Sequence, residues 1–430
     1  TTLVDQLLDN RGEFAVHWLT FWNDQLRNDY AGTGYIDGGR KQITTWLYGA
    51  LVDNKAYDQF LRELVRPTPA SEGFIRGIRW RGRVNASQVP ELQFAQNLSQ
   101  VFLGINMKCA SCHDSFIDDW TLRDAYGLAA VVADRPLELY RCDKPTGEIA
   151  TAAFPFPELG TLDPALPRDQ RLARLADLMV HPENGRTART SVNRLWERMM
   201  GRGIVDPVDA MGNRPWNEAL LEHLAVDLVE HQYDMRRSLF HIATSQAYQA
   251  RCAEPEATVG SDVPFRGPLP RRMTAEQFLD AVWQLTGTSP DAPDPAAAAA
   301  LQTRPDSAPA GVRAALVTAD PLMRSLGRPN REQVVSTRPA ELTTLQALDL
   351  SNGDVLAGLL ARGAQHLARS HAHCSGSELV EWIYRTALSR TPTDAEQAIS
   401  LELLGPDQSE IGLADLLWAV VMLPEFQTIR

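Results

Sequence analysis

The segment Met107-Lys108-Cys109-Ala110-Ser111-Cys112-His113-Asp114 places two cysteines three positions apart with a histidine directly after the second. On a helical turn, side chains at that spacing project to one side. Both thiols can then bond the two vinyl-derived carbons of a single porphyrin, and the adjoining imidazole can swing onto the iron. CxxCH is the attachment pattern of a c-type haem, and histidine is a regular axial ligand of haem iron. The expectation is one covalent haem c, held as thioethers by Cys109 and Cys112, with His113 as an axial iron ligand.

Three other readings compete. Structural zinc takes four Cys or His ligands, often from two closely spaced pairs. The chain has no second CxxC, and His371, His373 and Cys374 lack clean pair spacing. A thioredoxin-like dithiol expects a βαβ setting, which the surrounding pattern does not offer. The last is a chance match on a buried helix. Of the five cysteines, Cys142, Cys252 and Cys374 lie far apart in sequence, so at most one disulfide forms among them and an odd thiol remains.

Several side chains are candidates to complete an iron site. His17 sits among Phe14, Trp18 and Phe21 and reads first as a core histidine, with a distal iron ligand as the functional alternative. Met200, at a helix end before Gly201, and His181 are further sixth-ligand candidates, against a reading of ordinary packing; Met107 is poorly placed for that role. Arg194, Arg198 and Arg202 recur every four residues and line one helix face, offering bidentate bonds to propionates or, more simply, a solvated face. Arg76, Arg79, Arg81 and Arg83 flank Trp80 just before the motif, and Arg79 and Arg81 are propionate candidates. Asp114, Asp118 and Asp119 crowd its other side, where negative charge favours ferric over ferrous iron and lowers the reduction potential.

These residues must be carried on helices. Apolar residues recur at three- and four-residue intervals over Thr2 to Gln25, with Gly12 as a break, and over Ile43 to Leu64 until Pro67. Similar spacing predicts helices over Gln93 to Leu103, Leu122 to Val132, Gln170 to Met179, Ala188 to Met200, Glu218 to Glu230 and Met235 to Gln249. Thr274 and Gln277 form a capping box for a later helix. Others follow near Leu342 to Leu350, Gly353 to Ala368, Ser377 to Ala387, Asp394 to Leu404 and Ala414 to Leu423. No strand-like alternation and no fixed-period repeat appears, so the predicted fold is all-α, a multi-helix protein with long Pro-rich connections.

The prolines at positions 145, 155, 157, 164 and 167 mark residues 145–168 as a linker without regular structure. It divides a haem-bearing helical domain (1–144) from a second helical domain (169–430). A further linker is expected over Glu254 to Pro270. Ser289 to Pro309, rich in Pro, Ala and Asp, is expected to be an extended or disordered surface segment.

Composition narrows the function. A chain of 430 residues with 44% hydrophobic and 22% charged residues is long enough for two or three cores. A net charge of −12 argues against nucleic acid as the partner, since phosphate binders need excess Lys and Arg. No apolar stretch reaches transmembrane length; Leu413 to Leu423 is too short and holds Asp415. No Gly-x-Ser-x-Gly, P-loop or His-Glu-x-x-His occurs, which disfavours a standalone hydrolase or nucleotide enzyme. The chain opens at Thr1 without Met, as expected where a leader is removed or a longer precursor continues upstream.

At these residues the chain resembles the planctomycete cytochrome-c-associated proteins, built from two adjoining domains of unknown function and found in Planctomycetes and Verrucomicrobia. The first domain's pattern is carried by His17-Trp18-Leu19-Thr20-Phe21-Trp22-Asn23-Asp24, by Ala56 to Phe60, and by Phe102-Leu103-Gly104 leading into Cys-Ala-x-Cys-His-Asp. The second is carried by Asn193-Arg194-Leu195-Trp196, Gly201-Arg202-Gly203, Thr244 to Gln249, Arg328 to Glu332 and Leu345 to Leu348. Where many relatives have His-Pro-Phe after the motif, this chain has Ser115-Phe116-Ile117. The resemblance implies a secreted haem protein and supplies no reaction.

The expected function is a periplasmic c-type cytochrome exchanging electrons with a partner protein, matured outside the cytoplasm because covalent attachment takes place there. One alternative is a haem oxidoreductase with an open iron site, acting on a carbohydrate or peroxide; it is motivated by a chain far longer than the roughly 100 residues one carrier domain needs. Another is a structural subunit of a larger assembly, its haem aiding folding.

Overall fold

Helix starts follow the polar residues that can accept from a first-turn N–H. Asn10, Thr121, Asn184, Asn217, Asp234, Thr274, Thr343, Ser375, Thr393 and Ser409 each cap one, and Thr274 with Gln277 closes the reciprocal box its spacing predicts. The computed structural model describes residues 2–30, 43–82, 84–253, 265–339 and 341–429. Arg83 and most of the expected linker over Glu254 to Pro270 lie outside them. The protein is mainly helical, with 56% of residues in helices and 4% in strands. Among the described residues no helix is long and apolar enough to cross a membrane.

Two compact units form. The first takes Thr1–Leu269 with Ala299–Ala308 and Asn330–Ser336; the second takes Pro270–Ala298, Pro309–Pro329 and Thr337–Arg430. The division differs from one drawn at the Pro-rich stretch, because the helices just after that stretch find their burial among the N-terminal ones. Arg62 bridges to Asp177 on the Arg168–Met179 helix, and Arg194 on the Gly185–Met200 helix bonds the carbonyl of Gln100.

In the first unit, Arg11–Leu26 is a continuous helix that contains Gly12, so the break falls at Asn10. Gly12 is needed for another reason: a Cβ there would come within 1.9 Å of the Ser307 carbonyl oxygen. The stretch expected to be irregular holds part of a hairpin, Glu138–Arg141 paired antiparallel with Lys144–Ile149. Its two-residue turn is Cys142–Asp143, both at positive φ (48° and 64°), as a type I′ turn requires. The sequence hides this turn because neither residue is the usual Asn or Gly. Ser289 to Pro309 also departs from expectation. It contains a helix, Pro295–Gln302, started by Pro295 and by Asp294 accepting from the Ala297 N–H at 2.8 Å. Consecutive alanines are the best helix formers, and Ala297 and Ala300 are buried.

In the second unit, Ala275–Thr286, Asp354–Ser370, Gly376–Leu388 and Glu410–Met422 surround a core that includes Leu279, Val282, Leu360, Ile383, Leu417 and Val421. A short strand pair, Arg271–Arg272 with Thr428–Ile429, joins its two ends. Beside the core, Arg390 grips Glu396 with both terminal nitrogens, at 2.9 and 2.7 Å. That guanidinium, then the Thr393 N–H, holds the Glu396 carboxyl at about 2, well below its ordinary value. A depressed carboxyl stabilises the fold above its unfolded pKa and loses that contribution as pH falls towards the folded one. Between about pH 4 and pH 2, Glu396→Gln should therefore show a shallower loss of stability than the parent chain in urea unfolding. Parallel curves would remove Glu396 from the acid response.

Candidate functional site

The CxxCH segment forms a single helical turn: the Ser111 N–H donates to the Met107 carbonyl, and the Cys112 and His113 N–H groups to that of Cys109, at 2.9, 3.0 and 3.1 Å. Its inner side is apolar or satisfied. Met107, Ala110 and Ser111 are fully buried, and the Ser111 hydroxyl also donates to the Met107 carbonyl. The outer side carries the chemistry, with Cys109 exposed and Cys112 and His113 half-buried. One turn thus sorts its residues by periodicity: anchors inward, two thiols and an imidazole outward.

The imidazole is held by its neighbours. His113 Nδ1 lies 2.7 Å from the Asp114 carbonyl oxygen; a carbonyl only accepts, so the proton sits on Nδ1 and the Nε2 lone pair is left for a metal. Phe116 stacks on the imidazole with ring centroids 4.5 Å apart. Phe116 and its neighbour Ile117 are 87% and 83% exposed, an apolar pair in water beside the imidazole, where a large flat apolar group could lie against them. These features fit a covalently attached haem.

A second layer of contacts holds the turn. Asp114 accepts from the Leu122 N–H and from Arg141, each at 2.9 Å, and these bonds, the backbone one first, keep its carboxyl below the usual range. Asp114 is thus ionised and paired; Asp118, which accepts from the Trp120 N–H at 3.2 Å, and Asp119 are exposed carboxylates of the same loop. Cys142, in the hairpin turn, donates its N–H to the Cys112 carbonyl at 3.0 Å, and its sulfur lies 3.6 Å from the Cys112 sulfur. Burial, then this neighbouring thiol, pushes the Cys112 thiol up.

Upstream, the backbone enters through a wide turn, Ser99–Leu103, and Gly104 at φ 60°. A Cβ on Gly104 would sit 2.3 Å from Met211 Cγ. Ile105 bridges Ala210, and Asp209 takes Arg194 at 2.7 Å and the Gln100 side-chain amide at 2.6 Å. Residues 330–336 form a strap. Arg331 is 2% exposed and bonds Asp24 and Asp29, each at 2.9 Å. The Glu332 carbonyl accepts from Arg27, a guanidinium that burial lowers to about 10 against the partial offset of Glu332. Gln333 accepts from Lys108, next to Cys109, at 2.6 Å.

The other candidates are dispersed. His17 is exposed on its helix, edge-on to Trp18 at 5.8 Å, so it is no core histidine; the helix turns Trp18, Phe21 and Trp22 inward instead. Met200 is 1% exposed, and His181 is half-buried with Nδ1 accepting from the Glu183 N–H. Arg79 and Arg81 are exposed. Arg194 is 4% exposed and bound to Asp209 and the Gln100 carbonyl, while Arg198 and Arg202 are half-buried.

Sequence reading missed a second constellation. Trp196, Trp216, Phe265, His223 and His241 line a cavity of about 460 Å³, with Trp216 and Phe265 stacked at 5.4 Å. Behind it Asp227 meets His231 and His241, each at 3.3 Å. Burial pushes the Asp227 carboxyl up, but the His241 hydrogen bond and the charges of His241, His231 and Arg237 outweigh it and hold it low. The signal was His223, Asp227 and His231 at four-residue spacing on one helix.

The fold and the CxxCH turn define a mainly helical protein with one outward Cys-x-x-Cys-His segment, and comparison with known families places it further. A model described as "Protein of unknown function (DUF1549)", short name PSCyt2, matches residues 1–136, and one described as "Protein of unknown function (DUF1553)", short name PSD1, matches residues 170–404, more than half of the chain. The chain belongs to this pairing, the planctomycete cytochrome-c-associated family, whose domains are associated with cytochrome-c-like proteins and have no assigned function. No curated protein and no solved structure matches it.

Arg331 is buried between Asp24 and Asp29, and Arg331→Leu removes both ion pairs. It should cost about 3–5 kcal/mol in urea unfolding of the first unit. A loss below about 1 kcal/mol would show that the strap is not fastened by this pair.

Proposed function

We propose that this chain is an extracytoplasmic c-type cytochrome that exchanges single electrons with a partner protein. The observation that carries the reading is the turn from Met107 to His113, whose outer side combines an exposed Cys109, a half-buried Cys112 and an imidazole with its proton on Nδ1. Cys109 and Cys112 would hold one haem c as thioethers, and His113 would ligate the iron through Nε2. The bound group would supply reversible one-electron chemistry. The chain's own residues do the rest: Met107 and Ser111 fix the turn from inside, the Asp114 carbonyl orients the imidazole, and Phe116 and Ile117 provide apolar cover. Asp118 and Asp119 add negative charge that favours the oxidised state. Location outside the cytoplasm follows from the chemistry of covalent attachment.

The test is maturation in a host with a working attachment system. The product should keep its haem through denaturing electrophoresis and give a c-type pyridine haemochrome, and Cys109→Ala with Cys112→Ala should abolish both. A haem-free intact mass for the parent chain would sink the reading. His113→Ala should shift the Soret band; an unchanged spectrum would mean that another group ligates the iron. Slow or absent carbon monoxide binding by the reduced protein is expected of a carrier, whereas rapid binding would favour the oxidoreductase alternative.

A further inference from the structure

The hairpin turn contains a backbone outlier. Cys142 occupies φ 48°, a left-handed conformation that costs an ordinary side chain about 1 kcal/mol and that Asn or Gly would fill more easily in a type I′ turn. Strain of this kind persists where the surroundings hold it. Here they do: Asp143 accepts from the Asn85 side-chain amide and the Ala86 N–H, each at 2.7 Å. Arg141 reaches Asp114, and the Cys142 N–H is bonded to the Cys112 carbonyl. Their combined effect is to bring the Cys142 sulfur to 3.6 Å from that of Cys112.

We propose that Cys112 and Cys142 are a disulfide-forming pair that joins the CxxC turn to the hairpin. Closing the bond needs the sulfurs to approach from 3.6 Å to about 2 Å. Cys142 is exposed and Cys112 half-buried, so an external disulfide can reach them. The step is thiol–disulfide exchange with a small-molecule or protein disulfide. One cysteine sulfur attacks the oxidant, releasing one thiol and leaving a mixed disulfide. The second displaces the other half as a thiol, and the two cysteine protons end on the two released thiols. The pair loses two electrons and the oxidant gains them. Where Cys112 is bonded to Cys142 it cannot form a thioether. On the function proposed above, the bond therefore withholds one attachment point until a reductant opens it.

The experiment uses the full chain made without haem attachment and equilibrated in glutathione buffers from fully reduced to fully oxidised. Samples are quenched in acid, alkylated, digested and read by mass spectrometry. A cross-linked peptide containing Cys112 and Cys142 is expected in the parent and in Cys109→Ser, and none in Cys112→Ser or Cys142→Ser. Alkylation of all five cysteines across the whole range would overturn the pairing. So would a peptide closed between Cys109 and Cys112, or a cross-link that survives in Cys112→Ser. A second measurement addresses attachment: covalent haem yield without added reductant should rise several-fold in Cys142→Ser over the parent, and an equal yield overturns the withholding role. If no variant takes haem under any condition, the cytochrome reading fails, and the peptide result alone decides the disulfide.

Discussion

A guanidinium removed from water must be met by acceptors held in place, and three such groups organise the first unit. Arg27, Arg194 and Arg331 are 3%, 4% and 2% exposed, and burying a charge without partners costs several kcal/mol. Each draws its acceptors from distant parts of the chain. Arg331 takes Asp24 and Asp29. Arg27 takes Gln93, Asn97 and the Glu332 carbonyl. Arg194 takes Asp209 and the Gln100 carbonyl. Burial makes these pairings obligatory, and they fix the path of residues 93–105, from which the CxxCH turn hangs.

The consequence for the site is geometric. With Gln100 bound to both Arg194 and Asp209, and Ile105 bridged to Ala210, the chain turns at Gly104 in the left-handed conformation, where a side chain would strike Met211. Met107 then drops into the core, and helical periodicity turns Cys109 outward two residues later. The exposure of the thiols is thus set by interior polar contacts that precede them in the chain. Phe116 and Ile117 belong to the same arrangement. They stand 87% and 83% exposed at its edge, Phe116 stacked on the His113 ring.

Much of this was legible in the sequence, for identifiable reasons. The CxxCH motif is local, so spacing alone predicts the outward pair and the adjoining imidazole. The Thr274 and Gln277 cap is local in the same way. What was not legible depends on distance. Nothing near Cys142 points to Cys112, thirty positions earlier, and the hairpin that joins them lacks the Asn-Gly signature. His17 looked internal because its neighbours are aromatic, yet the helix turns it outward. The alanine run at Ala296 to Ala300 was read through its prolines and aspartates, although its own helix propensity and the buried faces of Ala297 and Ala300 decide the outcome. Arg194 was picked out as a charged face, and burial made it a structural tie.

The length of the chain around one CxxCH turn also acquires a physical reason. A carrier domain of roughly 100 residues could supply the turn and an imidazole, but not this support. The contacts that hold residues 99–143 reach Asn85 through Asp143, Asp209 through Gln100, and Gln333 and Ser336 through Lys108 and Gln100. Two of the segments that carry the resemblance, His17 to Asp24 and Arg328 to Glu332, meet in the Asp24–Arg331 ion pair, a fastening in space between residues 307 positions apart. The strap over 330–336 returns to the first unit after residues 309–329 have contributed to the second. Residues matched by the second family model therefore complete the surroundings of a motif that lies within the first. A motif assembled in this way is expected to need both matched regions to keep its shape.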